Sequence, residues 1–156
     1  MKPNKKQLLL VVHSQSGRNM QLALIAYHAA KQNPAVDVRL LRAFEAESDD
    51  MIKADALLLL TPEMNAIVSG GMKELIDRVF YPLERAGKQA LPYAAVINCG
   101  NAGQSAEKQL DSMLSGIRAK KIQDTFIIHG DATEQEQAQC AALAEAMASG
   151  LEMGIF

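Results

Sequence analysis

Two kinds of apolar pattern alternate along this chain. Short runs of consecutive apolar residues centre on 7–12, 56–60, 92–98 and 125–129, and such runs suit strands buried on both faces of a parallel sheet. The segment 36–41 opens by alternating apolar and polar residues, as a strand nearer a sheet edge does. Between the runs, apolar residues return every three or four positions. Met20, Ala23, Leu24, Tyr27 and Ala30 form one stripe, and Met72, Leu75, Ile76, Val79, Phe80 and Leu83 a second. Ala106, Leu110, Met113, Leu114 and Ile117 form a third, and Cys140, Leu143, Ala144, Met147 and Leu151 a fourth. This spacing predicts amphipathic helices. The stretch 45–54 is weakly helical.

The punctuation agrees with the pattern. Pro34 stops the first helix, because proline disfavours helical geometry in the residue before it. Thr61-Pro62 ends the third strand, Ser69 offers a cap to the helix that follows, and Thr133 with Glu136 three residues on forms a capping box. Strict alternation of strands and helices predicts an α/β domain: a doubly wound five-stranded parallel sheet with helices on both faces, its strands in the common order 2-1-3-4-5. Residues 1–156 fit one such domain.

In that order the ligand crevice lies at the carboxyl ends of strands 1, 3 and 4. The chain there reads Ser14-Gln15-Ser16-Gly17-Arg18-Asn19-Met20, then Thr61-Pro62-Glu63-Met64-Asn65 within the long connection 61–71, then Cys99-Gly100-Asn101-Ala102-Gly103. A strand that turns into a helix across small polar residues aims unpaired backbone N–H groups and a helix N-terminus at one point, which suits a phosphate. Taken alone, the first stretch fits ordinary capping by Ser16 as well as it fits a phosphate. The convergence of three such loops at one switch point favours the phosphate.

Composition narrows the partners. With 49% hydrophobic and 22% charged residues the chain is that of a folded protein, and a net charge of −2 without a basic block excludes nucleic acid as a partner. No apolar run approaches the roughly 20 residues of a membrane span. Residues 1–6 lead into the first strand without a small-residue cleavage site, so the expected location is the cytoplasm. Cys99 and Cys140 lack metal-site or disulfide spacing, His13, His28 and His129 show no ligand pairing, and no metal site is expected.

The three loops resemble those of the flavodoxin-like superfamily, and within it the NADPH-dependent FMN reductase and quinone reductase branch. Ser14–Asn19 resembles the superfamily's T-x-[ST]-G-x-T phosphate loop, with Asn19 where Thr is usual. Thr61-Pro62-Glu63, then Ser69-Gly70-Gly71-Met72-Lys73 and Asp77-Arg78, is similar to the branch's central segment, and Gly100-Asn101-Ala102-Gly103 to its flavin-edge loop. The resemblance implies that Ser14, Ser16, Gly17, Arg18 and Asn19, with Met20 beside them, hold the phosphate of FMN. Pro62, Glu63, Met64 and Asn65 would lie along the isoalloxazine, with Cys99, Gly100, Asn101 and Gly103 at its other edge. The branch commonly has an aromatic just after Pro-Glu, and this chain has Met64, whose thioether can also lie on a ring. Asp77, Arg78 and Lys73 read as surface or ion-pair residues, and Cys99 as a small buried one.

The implied activity is hydride transfer from NAD(P)H through FMN to a quinone, a flavin or another small acceptor, with no acid–base residue assigned and a homodimer as the expected state. The alternatives are a one-electron carrier of the flavodoxin type, disfavoured by the weak net charge, and a flavin-free binding module on the same fold. A phosphorelay receiver would need acids after the first strand, where His13-Ser14 stand. The apolar end, Ile155-Phe156, is expected to pack on its own domain or across an interface.

Overall fold

The computed structural model of the protein describes residues 4–156. The expected leaderless start, as far as it concerns residues 1–3, lies outside the described residues. The elements run β1 (Lys6–Val12), α1 (Arg18–Ala30), β2 (Val36–Arg42), α2 (Ser48–Lys53), β3 (Ala56–Met64) and β4 (Ile67–Val68). There follow α3 (Gly70–Arg85), β5 (Pro92–Cys99), α4 (Gln104–Gly116), β6 (Lys120–Lys121), β7 (Phe126–His129) and α5 (Glu134–Met153).

The sheet has the order β2-β1-β3-β5, with β6 and β7 pairing in turn with the outer side of β5. All of these pairings are parallel, which is the doubly wound arrangement the alternation predicts. Because successive strand residues face opposite sides, each apolar run feeds two cores. Leu9, Val11, Leu57, Leu59, Ala95 and Ile97 meet α3 and α4 on one face, through Met72, Leu75, Val79, Leu110 and Leu114. Leu8, Leu10, Val12, Leu58, Leu60 and Val96 meet α1 and α5 on the other, through Leu22, Ala26, Ala144 and Met147. Burying each such leucine or valine contributes about 1.5–3 kcal/mol, so both sheet faces need their helices.

The structure departs from the pattern in three places. The strand expected to end at Thr61 continues to Met64 and folds back as an antiparallel hairpin, pairing Glu63 with Val68 and Met64 with Ile67. The long loop 61–71 is therefore mostly strand. Secondly, α1 buries Asn19, Leu22, Ala23, Ala26 and Ala30, leaving Leu24 exposed. Apolar residues fill every position from Leu22 to Ala26, so spacing did not determine which stripe faces inward. Thirdly, only half of the C-terminal expectation holds: Phe156 lies against Gly150 in the core beside α1 and α5, while Ile155 is exposed.

Candidate active site

The carboxyl ends of β1, β3, β5 and β7 meet around one cleft of about 250 Å³. Its walls carry Ser16 from the first loop with Arg18 and Asn19 from the start of α1, Pro62, Glu63 and Met64 from β3, and Cys99 and Gly100 at the end of β5. These eight come together as expected. Gln15, Asn98 and Gly130 complete the lining.

The first loop owes its shape to Gly17. It stands at φ +92 as the residue before α1, a left-handed conformation that glycine adopts without a Cβ penalty, and it offers no side-chain cap. The first helical bond is Gln21 N–H to the Gly17 carbonyl. Among the described residues the backbone N–H groups from Ser14 to Met20 have no protein acceptor. The Oγ of Ser14 and the Oδ1 of Asn19 are buried without a hydrogen-bond partner, although Asn19 is only 2% exposed. An unpaired buried polar group costs about 1–3 kcal/mol, so a ligand with complementary atoms would be stabilised here. The backbone N–H groups and the Ser14 hydroxyl are free donors, while Asn19 Oδ1 is a free acceptor.

Arg18 does not point freely into this loop. Its Nε donates to the Oδ1 of Asp131, in the connection between β7 and α5, at 2.6 Å. Ser14, Gly17 and Met20 open instead onto a neighbouring cleft on the β2 side of the loop.

The hairpin that carries Glu63 and Met64 is held from beneath. Thr61 Oγ1 lies 2.8 Å from Ser69 Oγ, both fully buried, and Ser69 Oγ accepts the Met72 N–H at the start of α3. The side chain of Gln109 on α4 accepts the Val68 N–H at 2.7 Å. Asn65 and Ala66 turn the hairpin with φ +52 and +65. That turn carries Asn65 away from the cleft lining, so the expected contact of Asn65 is not part of it.

On the third wall, the thiol of Cys99 donates to the Asn101 carbonyl at 3.4 Å, and burial followed by the Glu63 carboxylate pushes its pKa up. A neutral, buried thiol is a poor nucleophile. Asn101 and Gly103 fall outside the lining. Gly103 has a packing reason instead: it caps α4 at φ +79, and a Cβ there would stand 2.7 Å from Ile127 Cγ2. Sequence reasoning passed over Asn98, whose amide donates to the carbonyls of Ile128 and Gly130 and draws the β7 end toward the cleft. Its signal was visible as the one amide in the apolar run 92–99. Arg78 is structural as expected: it binds Glu74 and donates to the Ala43 and Ala46 carbonyls, tying α3 to the connection after β2. Lys73 pairs with Asp77 on the helix surface.

A family model described as NADPH-dependent FMN reductase matches residues 20–133. The chain belongs to this family. The matched segment includes Pro62–Met64 and Cys99-Gly100, while residues 14–19 of the donor loop lie just ahead of it. No curated protein matches the chain. Among solved structures, the fold is similar to that of a flavodoxin from the domain Archaea, with a TM-score of 0.82 and 17% identity over 94% of this chain and 99% of that one. It is also similar to a flavodoxin, WrbA-like protein from Agrobacterium tumefaciens, with a TM-score of 0.76 and 14% identity over 96% and 99% of the two chains. Rubredoxin oxygen:oxidoreductase from Desulfovibrio gigas shares the fold at a TM-score of 0.79 and 14% identity, over 97% of this chain and 38% of that one. These likenesses establish a flavodoxin-like fold for this reductase-family chain. No described helix is long and apolar enough to cross a membrane.

Proposed function

We propose that the protein is an FMN-binding oxidoreductase that takes a hydride from NAD(P)H and passes electrons to a quinone, a flavin or a similar small acceptor. The observation that carries this reading is the donor loop: unpaired N–H groups from Ser14 to Met20, with the partnerless Ser14 Oγ and Asn19 side chain beside them. The N–H groups and the Ser14 hydroxyl are donors of the kind a phosphate monoester needs, and half a turn of the Asn19 amide puts its NH2 group where Oδ1 now stands.

Bound FMN would supply the hydride chemistry, and the chain supplies position and environment. Ser14, Ser16, Gly17 and Asn19 hold the phosphate, and Met20 closes the loop from the helix side. Pro62, Glu63 and Met64 flank the flat ring on the β3 side, with Cys99 and Gly100 opposite. Met64, at the rim of the cleft and partly exposed, gives the ring a thioether contact worth about 0.3–1.5 kcal/mol. No side chain of the cleft is assigned a proton transfer. In this reading residues 1–156 act as one domain, in the cytoplasm, as a homodimer.

The test is turnover. The FMN-loaded chain is mixed with NADPH or NADH and a soluble quinone, and loss of the reduced nicotinamide absorbance is followed. Consumption that depends on both FMN and acceptor is expected. An FMN-loaded chain that consumes neither nucleotide, yet holds a stable one-electron-reduced flavin, would make it a carrier of the flavodoxin type.

A further inference from the structure

Asn98 carries an oxygen that the fold leaves unused. The residue is 7% exposed and lines the cleft. Its Nδ2 donates to the Gly130 carbonyl at 2.6 Å and to the Ile128 carbonyl at 3.3 Å, which occupies both amide protons. Two carbonyl partners also fix which end of the amide is nitrogen, so the place of Oδ1 follows from the network. Among the described residues no group donates to that Oδ1. The donors around it are engaged elsewhere. Thr61 Oγ1 pairs with Ser69, the Cys99 thiol faces the Asn101 carbonyl, and Arg18 Nε is on Asp131. Pro62, the register partner of Asn98 on β3, has no N–H to give. Unlike the sealed oxygen of Asn19, the Asn98 oxygen is within reach of whatever fills the cleft.

Position says which part of a ligand meets it. Val96 faces the core under α1 and α5, and Ile97 and Cys99 face the opposite core under α3 and α4. By the alternation of a strand, Asn98 shares the side of Val96, which is the side of the donor loop at the start of α1. Cys99 and Gly100, just beyond it, form the edge read as flanking the flat ring. A molecule that reaches from the donor loop to that edge crosses Asn98 on the way.

We propose that Asn98 Oδ1 accepts a hydrogen bond from the polyol chain of FMN, and that this bond makes the cleft select a flavin phosphate joined through a polyol. The inference rests on the reading of FMN as the ligand. In FMN the part between phosphate and ring is a chain of hydroxyls, each an O–H donor of the kind Oδ1 lacks. A ligand in the cleft displaces water from that oxygen, and a hydroxyl restores the lost bond. A plain alkyl chain of the same length would leave the oxygen buried and unpaired.

The test is a two-by-two titration followed by flavin fluorescence. Wild type and Asn98→Ala are each titrated with FMN and with a flavin phosphate in which a plain alkyl chain of equal length replaces the polyol, and a melting temperature is recorded for each protein. Wild type should bind FMN about 10-fold or more tighter than the alkyl analogue. Asn98→Ala should lose most of that preference, with FMN weakened about 10-fold and the analogue changed less than about 2-fold. A side chain that merely holds the β7 end would weaken both ligands alike, so equal losses overturn the proposal, as does a preference that survives in the variant. Asn98→Ala also frees the Ile128 and Gly130 carbonyls, so a measurement on wild type stands beside it. The NMR resonance of the Asn98 side-chain carbonyl carbon should lie further downfield with FMN bound than with the analogue, and the same position with both overturns the proposal. Binding of neither flavin by wild type overturns the flavin reading and this inference with it, whereas equal binding of the two overturns this inference alone.

Discussion

Arg18, on the first turn of α1, reaches Asp131 after β7, with its Nε 2.6 Å from Oδ1. Arg18 lines the cleft, so the contact sets a carboxylate in competition with any anion held by the donor loop. Both side chains are well exposed, so the pair itself contributes under about 1 kcal/mol to stability. Asp131→Asn should therefore leave the melting temperature nearly unchanged and tighten FMN binding up to about 5-fold by releasing the guanidinium. Arg18→Ala should weaken it. Identical FMN affinities in wild type and both variants would show that Arg18 faces solvent and takes no part.

The hairpin turn carries local strain. Asn65 and Ala66 both have positive φ, the pattern of the two-residue turn that favours glycine in second place, and Ala66 adopts φ +65 with a Cβ. That costs about 1 kcal/mol. Ala66→Gly should raise stability by about 0.5–1 kcal/mol in urea unfolding. A lower midpoint would mean that the turn does not hold this conformation in solution.

Gly103 separates packing from ligand contact. Its φ of +79 and the 2.7 Å approach of Ile127 Cγ2 to a Cβ predict that Gly103→Ala destabilises the protein by about 1–3 kcal/mol. FMN affinity measured on the folded protein should stay within about 2-fold, a change of under about 0.5 kcal/mol. A stable variant that loses FMN would return Gly103 to the flavin edge.

Cys140 gives the fold an alkaline limit. Its thiol packs between α5 and α1 near the Leu22 carbonyl, and burial lifts its pKa from an ordinary 9.0 to about 11. The folded state keeps the proton while the unfolded chain releases it from about pH 9. The contribution is thus whole below pH 9 and declines between about pH 9 and 11, by about 2–3 kcal/mol. Urea unfolding at pH 8 and pH 10.5 should show a smaller alkaline loss in Cys140→Ala than in wild type. Equal losses would place the alkaline sensitivity elsewhere.

The particular residues explain how far the sequence could be read. Uninterrupted runs such as Leu57-Leu58-Leu59-Leu60 read as strands covered on both faces, and their strict alternation with helical stripes made the doubly wound order legible. The inward face of α1 was not, because apolar residues fill every position from Leu22 to Ala26 and only contact with α5 selects among them. The hairpin was hidden for a similar reason. Pro62 reads as a strand breaker, yet it sits buried opposite Asn98, and its partner strand is two residues long. Of the candidate site, the three loops could be placed from the strand ends, and the expected residues that line the cleft were named through the family resemblance. Asn65, Asn101 and Gly103 could not be separated from them, since turn, loop and close packing call for the same small or amide residues.

The central claim is that the donor loop and the β3 and β5 ends hold FMN. Its most direct test is a titration of FMN into the flavin-free chain, following flavin fluorescence and absorbance, with Ser14→Ala and Asn19→Leu in parallel. The account predicts saturable binding of one FMN per chain with a shifted flavin spectrum, weakened about 10-fold or more by loss of the Ser14 hydroxyl or the Asn19 amide. An unshifted spectrum with no saturation, or wild-type affinity in both folded variants, would contradict it.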